Sequence, residues 1–324
     1  MYREPQLDDV VTAHQRISYY IHQTPVLTCE TLDRMTGAQI YFKCENFQKA
    51  GAFKFRGACN TVFSLSEEEA GRGVVTHSSG NHAGALSLAA LNRGINAYIV
   101  MPSNAPRVKV EAVKNYGGNI TFCQPTLESR EETAEAVILE TGATLVHPYN
   151  DYRIITGQGT AALELMRLVK DLDMILAPVG GGGLLSGTAI TARSLKPDIQ
   201  VIGCEPEEAD DAYRSLKAGH IIPSDNPDTI ADGLRTSLSE KTFGIIRIWV
   251  DFIVRVSETA ILEAMRLIWE RMKIVVEPSA AVPLAALISH VLPAEGKKVG
   301  VILSGGNVDL DILVRLAEGK RRND

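Results

Sequence analysis

Lys54 stands between two aromatic residues in the stretch GAFKFRG, bracketed by Gly51 and Gly57. An ammonium in so apolar a setting is disfavoured by desolvation, which lowers its pKa and supplies the neutral amine that a Schiff base requires. A single lysine more often snorkels to the surface, so a second signal has to carry the argument. It comes from APVGGGGLLSG, where Gly180, Gly181, Gly182 and Gly183 separate an apolar run from a helical pattern. Four bare backbone residues at a helix start aim several N–H groups and a positive helix end at an anion, and a phosphate belongs there. Two further loops share this strand-to-helix character. THSSGNHAG (76–84) offers Ser79 or Asn81 as a helix cap, and SGGNVDL follows an apolar run that ends at Ser304.

A glycine run of this kind also invites a dinucleotide, and Glu205, at the end of the next apolar run, sits about where a ribose-binding acid would. GxGxxG nevertheless fails in both registers, because Leu185 or Ser186 takes the place of the third glycine. A nicotinamide-dependent oxidoreductase would rest on the glycine run and Glu205 alone.

Loops of this type need strands and helices to hold them. VVTH, NHAGALSLAALNR, AYIVM, RVKVEAVKNY, NITFC and a longer helix up to Thr141 alternate in period. A second series follows: a helix after Gly157, the strand MILAPV, a helix opening at the glycine run, the strand QVIGCE, a further helix, the helix SAAVPLAALISH and the strand VGVILS. Such alternation predicts an α/β fold with two open, mostly parallel-sheet domains carrying helices on both faces. Ligands then sit beyond the C-terminal ends of the strands. The early segment, with a helix near Asp9 to Ile21 and the strand QIYFKCE, is expected to pack with the later half. Residues 1–72 and 148–324 would form a large cofactor-binding domain, and residues 73–147 a smaller, mobile one carrying the SSGNH loop.

Composition narrows the partners. The 324-residue chain is 45% hydrophobic and 22% charged, which suits a folded protein with a sizeable core. Its net charge of -6 comes from interspersed residues, so no basic stripe exists to attract nucleic acid. MILAPV is far short of the roughly 20 apolar residues that span a bilayer. The start MYREPQLDDVV lacks the apolar core of a secretion signal, and a cytoplasmic protein is expected. The five cysteines include no CxxC pair, which argues against a disulfide framework and against zinc.

Taken in order, NFQKAGAFKFRGA, HSSGNHAG, GQGT, PVGGGGLLSG and LSGGNVDL run across nearly the whole chain. Together they resemble the second fold type of pyridoxal phosphate enzymes, the tryptophan synthase β-like fold. Within it they resemble the serine racemase and serine/threonine dehydratase family, with its hydroxyaspartate ammonia-lyase relatives. The resemblance implies that Lys54 holds pyridoxal 5'-phosphate as a Schiff base, that Gly180 to Gly183 hold its phosphate, that Asn81 bonds the ring hydroxyl and that Ser304 faces the pyridine nitrogen. Phe53 would lie near one ring face, and Ser78, Ser79, Asn81 and His82 would meet the substrate. A neutral hydroxyl at Ser304 does not force the ring nitrogen to stay protonated, which weakens the electron sink and suits dehydration or racemisation. Lys54 would move the Cα proton, with Ser79 as a second base on the opposite face.

The same resemblance implies a Mg²⁺ (or Ca²⁺ or Mn²⁺) site in VIGCEPEEADDAY, with Glu205, the Ala209 carbonyl and Asp211 as hard oxygen ligands. Read from residues alone, an acidic helix start is the alternative. It implies a homodimer too, and closure of the smaller domain over the cleft. Related racemases bind a nucleotide at the subunit interface; Lys109, Tyr116, Lys273 and Asn307 match that site. Cys29 and Glu30 replace two serines there and Gly84 replaces a glutamine, and the extra carboxylate argues against a nucleotide effector. GAFKFRG in place of the commoner GSFKxRG, and Tyr149 where racemases tend to have asparagine, lean towards elimination. The expected activity is that of an ammonia-lyase converting serine, threonine or 3-hydroxyaspartate to an oxo acid and ammonia. Serine racemase with dehydratase side activity is the alternative. Retention of both Lys54 and Ser79 counts against a non-catalytic amino acid sensor.

Overall fold

The computed structural model describes residues 3–78, 80–105 and 107–309; Ser79, the expected second base, lies outside the described residues. Short apolar runs form two sheets. One contains β1 (Val26–Leu27), β2 (Gln39–Cys44), β7 (Met174–Pro178), β8 (Gln200–Pro206), β9 (Phe252–Val256) and β10 (Lys298–Leu303), in the order β1-β2-β10-β7-β8-β9. The other contains β3 (Val74–His77), β4 (Ala97–Pro102), β5 (Asn119–Cys123) and β6 (Thr144–Leu145), in the order β5-β4-β3-β6. Only β1 pairs antiparallel, with β2; the remaining described pairs are parallel.

Helices α1 (Leu7–Ile17), α2 (Glu30–Thr36), α3 (Lys54–Ser64) and α4 (Glu67–Arg72) precede β3. Between the strands of the four-stranded sheet run α5 (Asn81–Arg93), α6 (Arg107–Asn115) and α7 (Leu127–Thr141). Then come α8 (Tyr152–Leu168), α9 (Gly183–Leu195), α10 (Asp211–Ala218), α11 (Glu240–Trp249), α12 (Glu258–Leu267) and α13 (Pro278–Ile288).

Strand β7 shows why its sequence is apolar throughout. Met174 and Leu176 point into a core shared with α12 and α13. Ile175 and Ala177, one residue out of phase, point into a core shared with α8, α9 and α11. A period-2 strand covered on both faces leaves no position for a polar residue. The smaller sheet is covered the same way: Val74, Ile99 and Met101 pack towards α3 and α5, and Val75 and Val100 towards α7. The α/β fold with mostly parallel sheets and helices on both faces is therefore as the sequence predicts.

Helix α8 differs from expectation. It begins at Tyr152, with the Asp151 carboxylate accepting from the N–H of Arg153 at 2.8 Å, and runs through Gly157 instead of starting after it. A Cβ on Gly157 would lie 2.6 Å from Gly57 Cα of α3, and one on Gly159 would lie 2.8 Å from the Gly187 carbonyl of α9. These glycines let three helices approach closely; they do not mark a helix boundary.

Candidate active site

Strand register brings the chemically unusual loops to one edge. Leu303 of β10 pairs with Cys44 of β2, and Pro178 of β7 with Cys204 of β8, so the chain leaves these strands side by side. Beyond that edge lies a cavity of about 510 Å³, lined by Phe53, Lys54, Ser78, Asn81, His82, Gly180 to Gly183, Glu277 and Ser304 among others. Lys54 opens α3 and is tied to Ser304 through its neighbour, since the Phe53 N–H donates to the Ser304 carbonyl at 2.9 Å. The Lys54 amine donates to the Pro148 carbonyl at 2.9 Å and lies 5.2 Å from the centroid of the Phe53 ring. Burial pushes its pKa down to about 8, against a smaller opposing pull from the Glu277 carboxyl. A carbonyl accepts from the amine in either protonation state, whereas a carboxylate would favour the ammonium.

The glycine loop is a cradle that side chains would fill. Gly182 is held at φ +84°, a left-handed conformation that glycine tolerates best. A Cβ on Gly181 would lie 2.3 Å from the Tyr149 ring, and one on Gly180 would lie 3.0 Å from the Gly233 carbonyl. Among the described residues no acceptor faces the N–H groups of Gly181, Gly182 and Gly183, and α9 begins at Gly183. Free donors at a positive helix end, in a loop with no room for side chains, fit a phosphate. The desolvated amine in the same cavity fits the aldehyde carbon of pyridoxal phosphate.

Helix α5 starts at Asn81 with Gly80 in the cap position and no side-chain cap, so Asn81 does not take the capping role expected of it. Asn81 instead donates through Nδ2 to both oxygens of Glu277, at 2.9 and 3.0 Å, while its Oδ1 accepts from Asn307 at 3.0 Å. The Ser78 hydroxyl accepts from the Gly80 N–H at 3.3 Å. His82 bonds the Val146 carbonyl through Nε2 at 3.1 Å, so that nitrogen carries the proton and Nδ1 is left as a buried acceptor without a partner. Burial, followed by the Lys54 charge, pushes its pKa down to about 3. A neutral ring with a free acceptor cannot grip a carboxylate, and any substrate contact from His82 has to come from its backbone N–H.

Glu277 escaped the sequence reading. It is 3% exposed, stands immediately before α13 without a side-chain capping bond, and has its pKa pushed up to about 7 by burial and then by the charge of Asp232. The signal was local: one acid ahead of Pro278 at the head of an otherwise apolar helix. Beside the amine, the His147 ring lies 5.7 Å from His77 and 4.6 Å from Tyr149. His147 Nδ1 accepts from the N–H groups of Tyr149 and Asn150, at 3.2 and 2.9 Å, and burial pushes its pKa down to about 4. It is a neutral turn-former whose role is to shape the segment that holds the amine. Arg130 of α7, also unremarked in the sequence, lines the cavity.

Beneath Lys54 lies a buried ionic cluster. Arg56 donates to Glu45 at 2.6 and 2.8 Å, to Glu164 at 2.8 and 2.8 Å and to Thr160 at 3.1 Å, and Lys43 donates to Glu164 at 2.6 Å. Two cations balance two carboxylates, and every member is at most 3% exposed. His14 stands 3.7 Å from Glu164.

Glu205, next to the end of β8, accepts from the N–H groups of Ala212 and Tyr213, at 3.1 and 2.8 Å, thereby capping α10. Both carboxylate oxygens of Asp211 are buried and have no hydrogen-bond partner, and burial pushes its pKa up to about 7. Burial and the Asp211 charge hold the Glu205 carboxyl well above the usual range. Ala209 is buried between them in sequence. No group of three or more His, Cys, Asp or Glu converges among the described residues, so a cation here would need backbone oxygen as well. A second cavity of about 500 Å³ brings together Lys109, Tyr116, Asn307 and Gly84; Lys273, Cys29 and Glu30 do not line it.

A cradle for phosphate, a desolvated lysine and the two-sheet fold define an enzyme class, and the chain belongs to the pyridoxal-phosphate dependent enzyme family, whose model matches residues 17–305. It is 53% identical over 309 residues to the β-hydroxyaspartate dehydratase of Paracoccus denitrificans (strain Pd 1222), covering 95% of this chain and 98% of that one. To the serine racemase of Arabidopsis thaliana it is 52% identical over 319 residues, covering 96% of each. The crystal structure of serine racemase from Dictyostelium discoideum superposes with a TM-score of 0.91 at 52% identity, covering 94% of this chain and 99% of that one. No helix among the described residues is long and apolar enough to cross a membrane.

Proposed function

We propose that the protein is an ammonia-lyase that converts a small β-hydroxy amino acid (serine, threonine or 3-hydroxyaspartate) to an oxo acid and ammonia. One observation carries this reading: the Lys54 amine, the glycine cradle and the SSGNH loop converge on a single cavity. Pyridoxal phosphate, when bound, supplies the electron sink that acidifies the Cα–H of an amino acid. Gly180 to Gly183 hold its phosphate, Asn81 and Ser304 fix its ring, and Phe53 lies beside it. Ser78, Asn81 and the free N–H groups at the start of α5 bind the substrate carboxylate. Lys54, neutral near its lowered pKa, takes the Cα proton and returns to the Pro148 carbonyl. Loss of the β-hydroxyl as water and hydrolysis then release ammonia.

Mg²⁺ (or Ca²⁺ or Mn²⁺) is held by Glu205, the Ala209 carbonyl and Asp211, a reading supported by the two unpartnered Asp211 oxygens. The resemblance supports a homodimer. The layer built on β3 to β6 closes over the cavity, and the Asn81–Glu277 and Lys109–Asp232 contacts link it to the rest of the chain. Racemisation is the second reading, supported by the 52% identity to a serine racemase, and would use Ser79 as the opposite base. Cofactor-loaded protein is to be incubated with L-serine, L-threonine and L-threo-3-hydroxyaspartate, with and without Mg²⁺, and oxo acid and D-amino acid measured in the same samples. Oxo acid in excess is expected. D-serine in excess selects the racemase, and neither product overturns both.

A further inference from the structure

The charges that line the active-site cavity are not all accounted for by the groups placed in it above. Four cationic side chains line it: Lys54, Lys109, Arg130 and Arg235. Lys54 is the reactive amine. Lys109 is paired with Asp232, and Arg235 donates to the Thr229 carbonyl, at 2.9 Å through Nε. Arg130 makes one long bond, from Nε to the carbonyl of Thr126, the cap residue ahead of its helix, at 3.3 Å, and forms no ion pair among the described residues. Its two terminal nitrogens, with four N–H donors in a planar fork, are left for another acceptor.

Its place in the cavity is fixed through neighbours. The Arg130 charge acts on His77, as does that of Glu131, with opposite sign; Glu131 does not line the cavity. The His77 ring is 5.7 Å from His147, and the next residue, Pro148, holds the Lys54 amine at 2.9 Å. Arg130, carried by α7 of the four-stranded-sheet layer, therefore lines the cavity together with His77 and His147.

The proposed reaction presents two anions, the cofactor phosphate and the substrate α-carboxylate, and each already has a receptor in the glycine loop and the start of α5. Serine and threonine bring no third anion. A substrate with a carboxylate on the carbon that bears the leaving hydroxyl brings one. We propose that Arg130 is the specificity-determining residue of this site, receiving the second carboxylate of a β-hydroxy dicarboxylic amino acid of the 3-hydroxyaspartate type. A guanidinium and a carboxylate pair through two parallel charge-assisted bonds, the strongest polar contact available to such a substrate.

This inference rests on the proposed function, and the test separates the two. Cofactor-loaded wild type, R130M and R130K are compared in two ways: kcat/KM for L-threo-3-hydroxyaspartate against L-serine, and binding of L-aspartate against L-alanine, followed by the cofactor absorbance. Neither of the last two carries a leaving group, so their binding reads recognition without turnover. R130M is expected to lower the hydroxyaspartate-to-serine ratio roughly 100-fold and to weaken aspartate relative to alanine by a similar factor, with R130K intermediate. Equal losses for both members of each pair, or no loss, overturn the assignment. If the wild type makes no oxo acid from any substrate the proposed function falls, and the aspartate-to-alanine ratio still decides the role of Arg130.

Discussion

Replacing Arg56 by methionine isolates what the buried cluster contributes to the site. The substitution keeps most of the side-chain volume and removes four charge-assisted bonds, two to Glu45 and two to Glu164. Lys43 then faces two carboxylates, leaving one uncompensated negative charge at positions at most 3% exposed. Breaking a buried ion pair by removing one partner costs about 3–5 kcal/mol. That is a large part of a typical folding free energy of about 5–15 kcal/mol. At about 2–4 °C per kcal/mol for large domains, the melting temperature should fall by roughly 10 °C. Adding E45Q restores charge balance through the remaining Lys43–Glu164 pair, and R56M/E45Q should recover about half of the loss. Urea unfolding of the three proteins supplies the free energies. Because Arg56 lies in the first turn of α3 with Lys54, the cofactor absorbance band should also weaken in R56M. A variant within about 1 kcal/mol of wild type, or a double variant no better than R56M, would refute the charge argument.

Three further outcomes follow from the geometry. Glu277 has a folded pKa of about 7, above the ordinary 4.5, so its contribution to stability is full below pH 4.5 and is lost as pH rises through 7. E277Q should flatten the melting-temperature profile across that window only in part, because Asp211, raised from 3.8 to about 7, acts in the same direction. Added Mg²⁺ should raise the melting temperature of the wild type and leave D211N unmoved; equal shifts would place the cation elsewhere. G181A, whose new Cβ would lie 2.3 Å from the Tyr149 ring, should release cofactor on dialysis while the wild type retains it, at an overpacking cost of about 1–3 kcal/mol.

What the sequence made legible was chemistry carried by the backbone. A phosphate cradle needs consecutive glycines next to a helix start, so Gly180 to Gly183 announce themselves within one window. Lys54 could be singled out because its apolar flanks are adjacent in the chain. Arg130 could not, since in LESREET it looks like any residue of a solvated helix face, and only the fold turns it towards a cavity. Arg56, Glu45, Lys43 and Glu164 are scattered over the sequence and become a neutral cluster only when β2, α3 and α8 meet. Gly157 misled for the opposite reason, because a glycine needed for close helix contact has the same appearance as one that ends a helix.

The order of strands in the larger sheet has a metric consequence. Side by side at one edge, β2 leads to the segment holding Lys54, β10 leads directly to Ser304, β7 opens into the glycine loop and β8 carries Glu205 immediately before its last residue, Pro206. Neighbouring strands lie about 4.8 Å apart, set by the backbone hydrogen bond and not by any side chain. A small molecule that touches Ser304 and the glycine loop at once is therefore gauged by one such interval, and Glu205 stands one interval further along. Lengthening a strand by a residue moves its tip outward by about 3.3 Å, but no substitution changes the lateral interval. Evolution can retune how far each group reaches into the cavity while the pitch between the groups stays constant.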